Sequence, residues 1–117
     1  MDVIAPAKVP LVLHPDAIAA IPAEPLGDLP GVANQVLWRD ASSMSGILTI
    51  EGHHHLGAHA HRRNHHHVWV LDGLARILGE DLPPGSYVHI PAGVEHDMEA
   101  PTERPCRILY MYLEPPG

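Results

Sequence analysis

The chain has 117 residues, 7 of them basic and 14 acidic, so its formal net charge is −7 with histidine counted as neutral. This length fits one domain with a single core, and the absence of a basic stripe argues against nucleic acid as a partner. No apolar run approaches the ~20 residues of a membrane span, so no membrane association is expected. Cys106 is the sole cysteine, which rules out an internal disulfide, and we expect a cytoplasmic protein.

Residues 1–31 contain six prolines and are expected to form an arm laid over a barrel of residues 32–117. Within this arm, Val9–Leu13 is predicted as a short edge strand, because its apolar side chains would otherwise face water. Asp16–Ile21 is predicted as a helical turn ended by Pro22. The edge strand could pair with a second subunit, so a homodimer held by the arm and the outer sheet is expected.

From residue 32 the chain reads as short apolar runs separated by turn residues such as Asp72-Gly73 and Pro91-Ala92-Gly93. Such close, regular spacing predicts an all-β protein, built as a small antiparallel sandwich or barrel. On the last run, Tyr110 shares a face with Ile108 and Tyr112, and the alternation leaves open whether that face lines the interior. The predicted strands are Val36–Trp38, Gly46–Ile50, Val68–Leu71, Ala75–Leu78, Tyr87–Ile90 and Arg107–Leu113.

Histidines are concentrated in the middle of the chain, where eight of the eleven lie between His53 and His67. Neutral imidazole is the commonest protein ligand for transition metals. His59 and His61 are two residues apart, so on a strand both point to one face. His66 has the parity of Val68 and Val70 and is expected to face inward with them, whereas its two neighbouring histidines face outward.

Two spaced motifs resemble those of the cupin family. In the first, His59-x-His61 is followed by four residues, His66, six residues and Gly73. The second runs from Gly85 through Pro91-x-Gly93 to His96 with the family's spacing. The resemblance covers roughly residues 32–113 and implies a jelly-roll barrel. The short form of the domain is similar to the zinc cupin of anti-sigma factors and its stand-alone relatives.

The chain departs from the family pattern at three positions. Six residues instead of five separate Gly52 from His59, His66 stands where the family has glutamate, and Ala100 replaces the final asparagine. The change from glutamate to histidine raises the charge of a divalent site from +1 to +2. Because a buried +2 charge is costly, the site should favour an anion as its remaining ligand.

The resemblance implies that His59, His61, His66 and His96 hold one divalent transition metal. Nitrogen ligands suit Fe, Ni, Zn, Cu or Co, and the sequence does not choose among them. Substrate contacts are assigned to Arg63, Met98 and Tyr110; the arginine, like its neighbour Arg62, is either a carboxylate clamp or part of a solvated loop. No catalytic residue is assigned, and Glu95 and Glu99 are interpreted as rim carboxylates.

The leading functional hypothesis is a metal-dependent enzyme, a dioxygenase, that acts on a small anionic molecule. One alternative is a non-catalytic binding or sensing module, and another is a zinc- or nickel-dependent isomerase or hydrolase. The remaining histidines are expected to have no part in the site: His53, His54 and His55 as exposed loop residues, His89 on the barrel exterior and His14 on the arm.

Overall fold

The computed structural model describes residues 9–60 and 64–113. In these ranges one short helix, α1 (Pro15–Ala19), precedes nine strands. The strands are β1 (Glu24–Pro25), β2 (Val32–Arg39), β3 (Ser43–Ile50), β4 (His65–Asp72), β5 (Ala75–Ile77), β6 (Glu80–Leu82), β7 (Tyr87–Ile90), β8 (Met98–Glu99) and β9 (Cys106–Leu113).

The strands form two antiparallel sheets with one core. The larger sheet has the order β1-β2-β3-β9-β4-β7, and the smaller has the order β6-β5-β8. Ala75, Ile77 and Met98 of the smaller sheet belong to the same buried cluster as Leu48 and Ile108 of the larger sheet. The predicted all-β jelly roll is therefore confirmed.

Alternation along β4 and β9 sets which side chains enter the barrel. On β4, His66, Val68 and Val70 are at most 2% exposed, whereas the side chains between them are only half-buried. The predicted inward parity of His66 is confirmed. The sequence left open which face of β9 lines the interior, and the structure shows that it is the face of Ile108 and Tyr110, which are buried.

The predicted strands differ from the observed ones mainly at their ends. The run around Val36–Trp38 extends to the whole of β2, and β7 matches its prediction. Three strands were missed: the two-residue strands β1 and β8, and β6. Each is short and contains an acidic residue, so only pairing identifies them as strands: β1 pairs with β2, and β6 and β8 pair with β5.

The expected edge strand at Val9–Leu13 is wrong for this chain. The segment forms no strand, and the side chains of Val9, Leu11 and Val12 are 58%, 52% and 75% exposed. The free edge of β2 is occupied by β1 instead, which leaves the segment no partner there. The helical turn that follows is present as α1.

Besides the pairing of β1 with β2, one side chain of the large sheet binds the arm. The Nε2 amide of Gln35 on β2 donates to the carbonyl oxygens of Ile18, at 3.1 Å, and Ile21, at 2.9 Å. The boundary between an arm of residues 1–31 and a barrel of residues 32–117 stays a prediction. No helix in residues 9–60 or 64–113 is long and apolar enough to cross a membrane.

Candidate metal centre

Three of the four predicted ligands meet inside the barrel. His66 reaches the interior from β4, while His59 and His96 face each other in an antiparallel bridge. In that bridge each residue's N–H donates to the other's carbonyl, at 2.8 Å and 2.7 Å. The ring centroid of His96 is 4.2 Å from that of His59 and 5.2 Å from that of His66.

The fourth predicted ligand, His61, and the predicted substrate contact Arg63 lie outside the described residues, as does Arg62. Their assignment therefore remains a prediction from the sequence. In the described ranges, which omit residues 61–63, no three His, Cys, Asp or Glu side chains already stand in an arrangement that holds a metal.

Backbone hydrogen bonds fix the tautomers of two imidazoles. His59 Nδ1 lies 2.8 Å from the carbonyl oxygen of Gly57, and His96 Nδ1 lies 3.0 Å from that of Val94. A carbonyl oxygen only accepts, so each neutral ring carries its proton on Nδ1 and its lone pair on Nε2. Metal-ligating histidines commonly have this support, with the second ring nitrogen donating to a carbonyl.

His66 and His96 are in direct contact through their rings. His66 Nδ1 lies 3.3 Å from His96 Nε2, and because the latter bears the lone pair, His66 Nδ1 is the donor. Two nitrogens that share one ion at ~2.0–2.1 Å with a tetrahedral angle are roughly 3.4 Å apart. The spacing and chemistry of these donors therefore fit a shared ion, which would replace the hydrogen bond between the rings.

Burial favours the neutral, metal-binding form of His96. Removal from water lowers the pKa of His96, with a smaller contribution from His59 in the same direction, although its bond to Val94 O opposes the shift. His96 is only 4% exposed and His66 only 1%. A neutral imidazole is the form that binds metal, so this environment favours ligation near neutral pH.

Asp97 fixes the loop that carries His59, a role that the sequence motifs did not indicate. Its Oδ1 accepts from the N–H of Gly57 at 2.9 Å and of Met98 at 2.7 Å, and its Oδ2 lies 2.8 Å from His55 Nδ1. The carboxylate thus links the loop before His59 to the segment after His96. Its position next to a motif histidine was the signal available in the sequence.

Two tyrosines of β9 pack against His66. The Tyr112 ring centroid is 4.4 Å from that of His66, and the Tyr110 ring stands edge-on to it at 6.3 Å. Burial raises the pKa of both phenols above the ordinary value, so both stay protonated. The Tyr110 hydroxyl donates to Asn34 Oδ1 at 2.8 Å. By ring distance, Tyr112 is the tyrosine nearer His66.

A cavity of about 300 Å³ opens beside Tyr112. It brings together one cation, one anion and several neutral polar groups, and sequence reasoning named none of the lining residues as a site. The lining consists of Arg39, Asp40, Ala41, Ser42, Ser43, Met44, Asn64 and Tyr112. Because Tyr112 touches both the cavity and the His66 ring, a molecule in the cavity would approach the histidines through it.

The two predicted substrate contacts in the described ranges lie deeper. Met98 is fully buried in the core cluster, and Tyr110 is 2% exposed. Of the remaining histidines, His53 and His55 are exposed, as expected of loop residues, but His54 is half-buried against Gly31. The side chain of His89 is exposed on β7, which confirms its exterior placement.

The fold defines an all-β barrel with inward-facing histidines, and the family comparison agrees with this fold. Residues 46–112 match the model of the cupin domain, which is more than half of the chain. The chain therefore belongs to the cupin family. A comparison with curated protein sequences gives no match.

Several solved structures share the fold at low sequence identity. The polyketide cyclase RemF from Streptomyces resistomycificus is 18% identical with a TM-score of 0.78, covering 92% of this chain and 83% of its own. A predicted oxalate decarboxylase from Thermotoga maritima is 15% identical with a TM-score of 0.75, and the match covers 90% of this chain and 100% of the decarboxylase chain. A chain in the Rhodobacter sphaeroides structure of SigE in complex with the anti-sigma ChrR is 22% identical with a TM-score of 0.70. The match covers 81% of this chain and 50% of that chain. These likenesses show the fold and no activity, since they range from enzymes to a regulatory complex.

Proposed function

We propose that the barrel binds one divalent transition metal through His59, His61, His66 and His96. The observation that carries this proposal is the pair of Nδ1 hydrogen bonds to Gly57 and Val94, which directs the Nε2 lone pairs of His59 and His96 away from the backbone. Members of this family commonly bind a metal. Nitrogen ligation favours Fe, Ni, Zn, Cu or Co over Mg and Ca.

The bound metal would serve an enzyme that acts on a small anionic molecule. Four neutral imidazoles leave the full +2 charge of the ion in a buried site, and an anionic ligand offsets it. The cavity beside Tyr112 is large enough for a small organic acid, and Arg39 is the cationic residue of its lining. Arginine recognises carboxylates in bidentate fashion, so Arg39 is the anchor that we assign to the substrate.

The described residues would have separate roles in such a site. The carbonyls of Gly57 and Val94 orient the ligands, and Arg39 holds the anion. Tyr112, which lines the cavity and packs against the His66 ring, offers a protonated hydroxyl. When bound, a redox-active metal supplies oxygen activation for a dioxygenase, and a zinc or nickel ion supplies Lewis acidity. The dioxygenase is our leading assignment because the resemblance implies it for a histidine-rich centre.

Binding of a probe anion tests the proposal. The chain is purified without an affinity tag, loaded with Co²⁺, and titrated with acetate while the cobalt absorption is followed. Arg39→Gln should weaken acetate binding about tenfold, or ~1.4 kcal/mol, whereas Arg104→Gln, an exposed arginine beside a different cavity, should leave it unchanged. Equal affinities in the two variants would remove Arg39 from the site.

Oxygen uptake separates the enzyme from a binding module. Protein loaded with Fe²⁺ should consume oxygen when small organic acids are supplied, and His96→Ala should abolish the uptake. Tightly held zinc that no added anion perturbs, together with no uptake in any acid, would instead support a non-catalytic module.

The homodimer also stays a proposal. Val9, Leu11 and Val12 form an exposed apolar segment on the arm, and a second copy of the chain would cover it. Sedimentation analysis should give a dimer for the full chain and a monomer for a chain lacking residues 1–14. A full chain that sediments as a monomer would contradict this expectation.

A further inference from the structure

The outer face of β4 and β7 carries a cluster of five rings that the barrel site does not use. His65, His67 and Trp69 alternate with the buried side chains of β4, and Tyr87 and His89 belong to the edge strand β7. Register places His67 opposite His89 and Trp69 opposite Tyr87. Three imidazoles therefore meet on the exterior, on the side of the sheet opposite His66.

Within this cluster, His65 and His89 form a close nitrogen pair. His65 Nδ1 lies 2.9 Å from His89 Nε2, and the rings are nearly parallel, with an interplanar angle of 12° and centroids 5.1 Å apart. Two nitrogens bound to one ion at ~2.0–2.1 Å with a right angle between them are about 2.9 Å apart. The pair already has the nitrogen spacing of a chelate, and it lies on the exterior of the sheet, outside the buried core cluster.

The third imidazole has a different partner. His67 Nδ1 is 2.6 Å from the hydroxyl of Tyr87, and its ring lies 4.9 Å from that of His89. Because no triad suited to a metal stands in residues 9–60 or 64–113, an ion here would have two protein ligands. Water or a small added ligand would occupy its other positions.

We propose that His65 and His89 form a second, exterior metal site with an open coordination sphere. Two imidazoles and water suit borderline ions that accept tetragonal geometry, so the expected metal is Cu²⁺, followed by Ni²⁺. The ion displaces the proton of the hydrogen bond from the donating nitrogen, and the other nitrogen of that ring takes up a proton from water, so that both imidazoles bind as neutral ligands. The exterior site does not depend on the barrel site, because β4 directs His65 and His66 to opposite faces.

The test is titration of the metal-free, tag-free chain with CuCl₂. Calorimetry measures the affinity, and electron paramagnetic resonance identifies the nitrogen ligands. His65→Ala and His89→Ala should each bind one equivalent less tightly, by at least tenfold, than the unchanged protein. His14→Ala, which removes an exposed histidine on the arm, is the matched control and should bind as the unchanged protein does. His66→Ala should keep the exterior ion with its nitrogen splitting intact.

Several outcomes would overturn the proposal. One is unchanged copper binding in His89→Ala, and another is an equal loss in His14→Ala, which would mark adventitious binding to any surface imidazole. A stoichiometry of half an ion per chain at this site would show that a second copy completes the coordination, in place of water. Circular dichroism of each variant separates loss of ligand from loss of fold.

Discussion

Replacing Tyr110 by phenylalanine should weaken the barrel beneath the candidate centre. The hydroxyl of Tyr110 donates to Asn34 Oδ1 at 2.8 Å, and these residues are only 2% and 8% exposed. Phenylalanine keeps the ring but leaves the buried amide oxygen without this donor, which costs about 1–3 kcal/mol of the free energy of unfolding. Tyr87→Phe is the matched control, because its hydroxyl contacts His67 at the surface, where such changes stay within about 0.5 kcal/mol.

Urea denaturation at neutral pH measures both variants, with the midpoint and slope fitted separately. Asn34→Ala completes a double-mutant cycle with Tyr110→Phe. Because residues in contact couple energetically, Asn34→Ala should lower the free energy of unfolding by at least about 1 kcal/mol less in the Tyr110→Phe variant than in the unchanged protein. Equal losses for Tyr110→Phe and Tyr87→Phe, or additive effects in the cycle, would refute the assignment of the hydrogen bond as a stabilising contact.

Three further substitutions have defined outcomes. Gly73 has a φ of +71°, and a Cβ added there would clash with the backbone just before β9. Gly79 has a similar φ of +77° but open space around it, so Gly73→Ala should lower the free energy of unfolding in urea clearly more than Gly79→Ala. Equal losses in the two variants would contradict the clash. Hydrogen bonds, first from the Ser42 N–H, lower the pKa of Asp40 to about 2, so its contribution to stability is present above pH 4 and lost as the pH falls through 2. Asp40→Asn should flatten that decline in an acid titration, and an unchanged decline would contradict it. Asp97→Ala should reduce metal affinity by roughly tenfold in a chelator competition, as loss of an orienting partner does, whereas Glu95→Ala should not; equal affinities would place Asp97 outside the site.

The inward direction of His66 was predictable because strand alternation has only two outcomes and the neighbouring valines decide between them. The turn at Pro91–Gly93 was equally local: Gly93 has a φ of +85°, and the Val94 N–H returns to Pro91 O at 3.3 Å. Such features depend on residues adjacent in the chain, so the sequence shows them directly.

Features that depend on distant partners were not predictable. The bridge between His59 and His96 joins segments 37 residues apart, and the motif spacing implied only that both point inward. Asp97 gave no sign of its contacts with Gly57, and the arm segment Val9–Leu13 looked like a strand although the sheet edge had another occupant. Pairing partners and free edges are properties of the assembled fold.

The central claim is that His66 supplies the third nitrogen of an interior metal site. Metal content measured after chelator-free dialysis, in a His89→Ala background that removes the exterior pair, tests it most directly. His66→Ala should lose the ion, His66→Glu should regain it, and His67→Ala, one residue away on the opposite face, should retain it. Loss of the ion from His67→Ala, with retention in His66→Ala, would contradict the account.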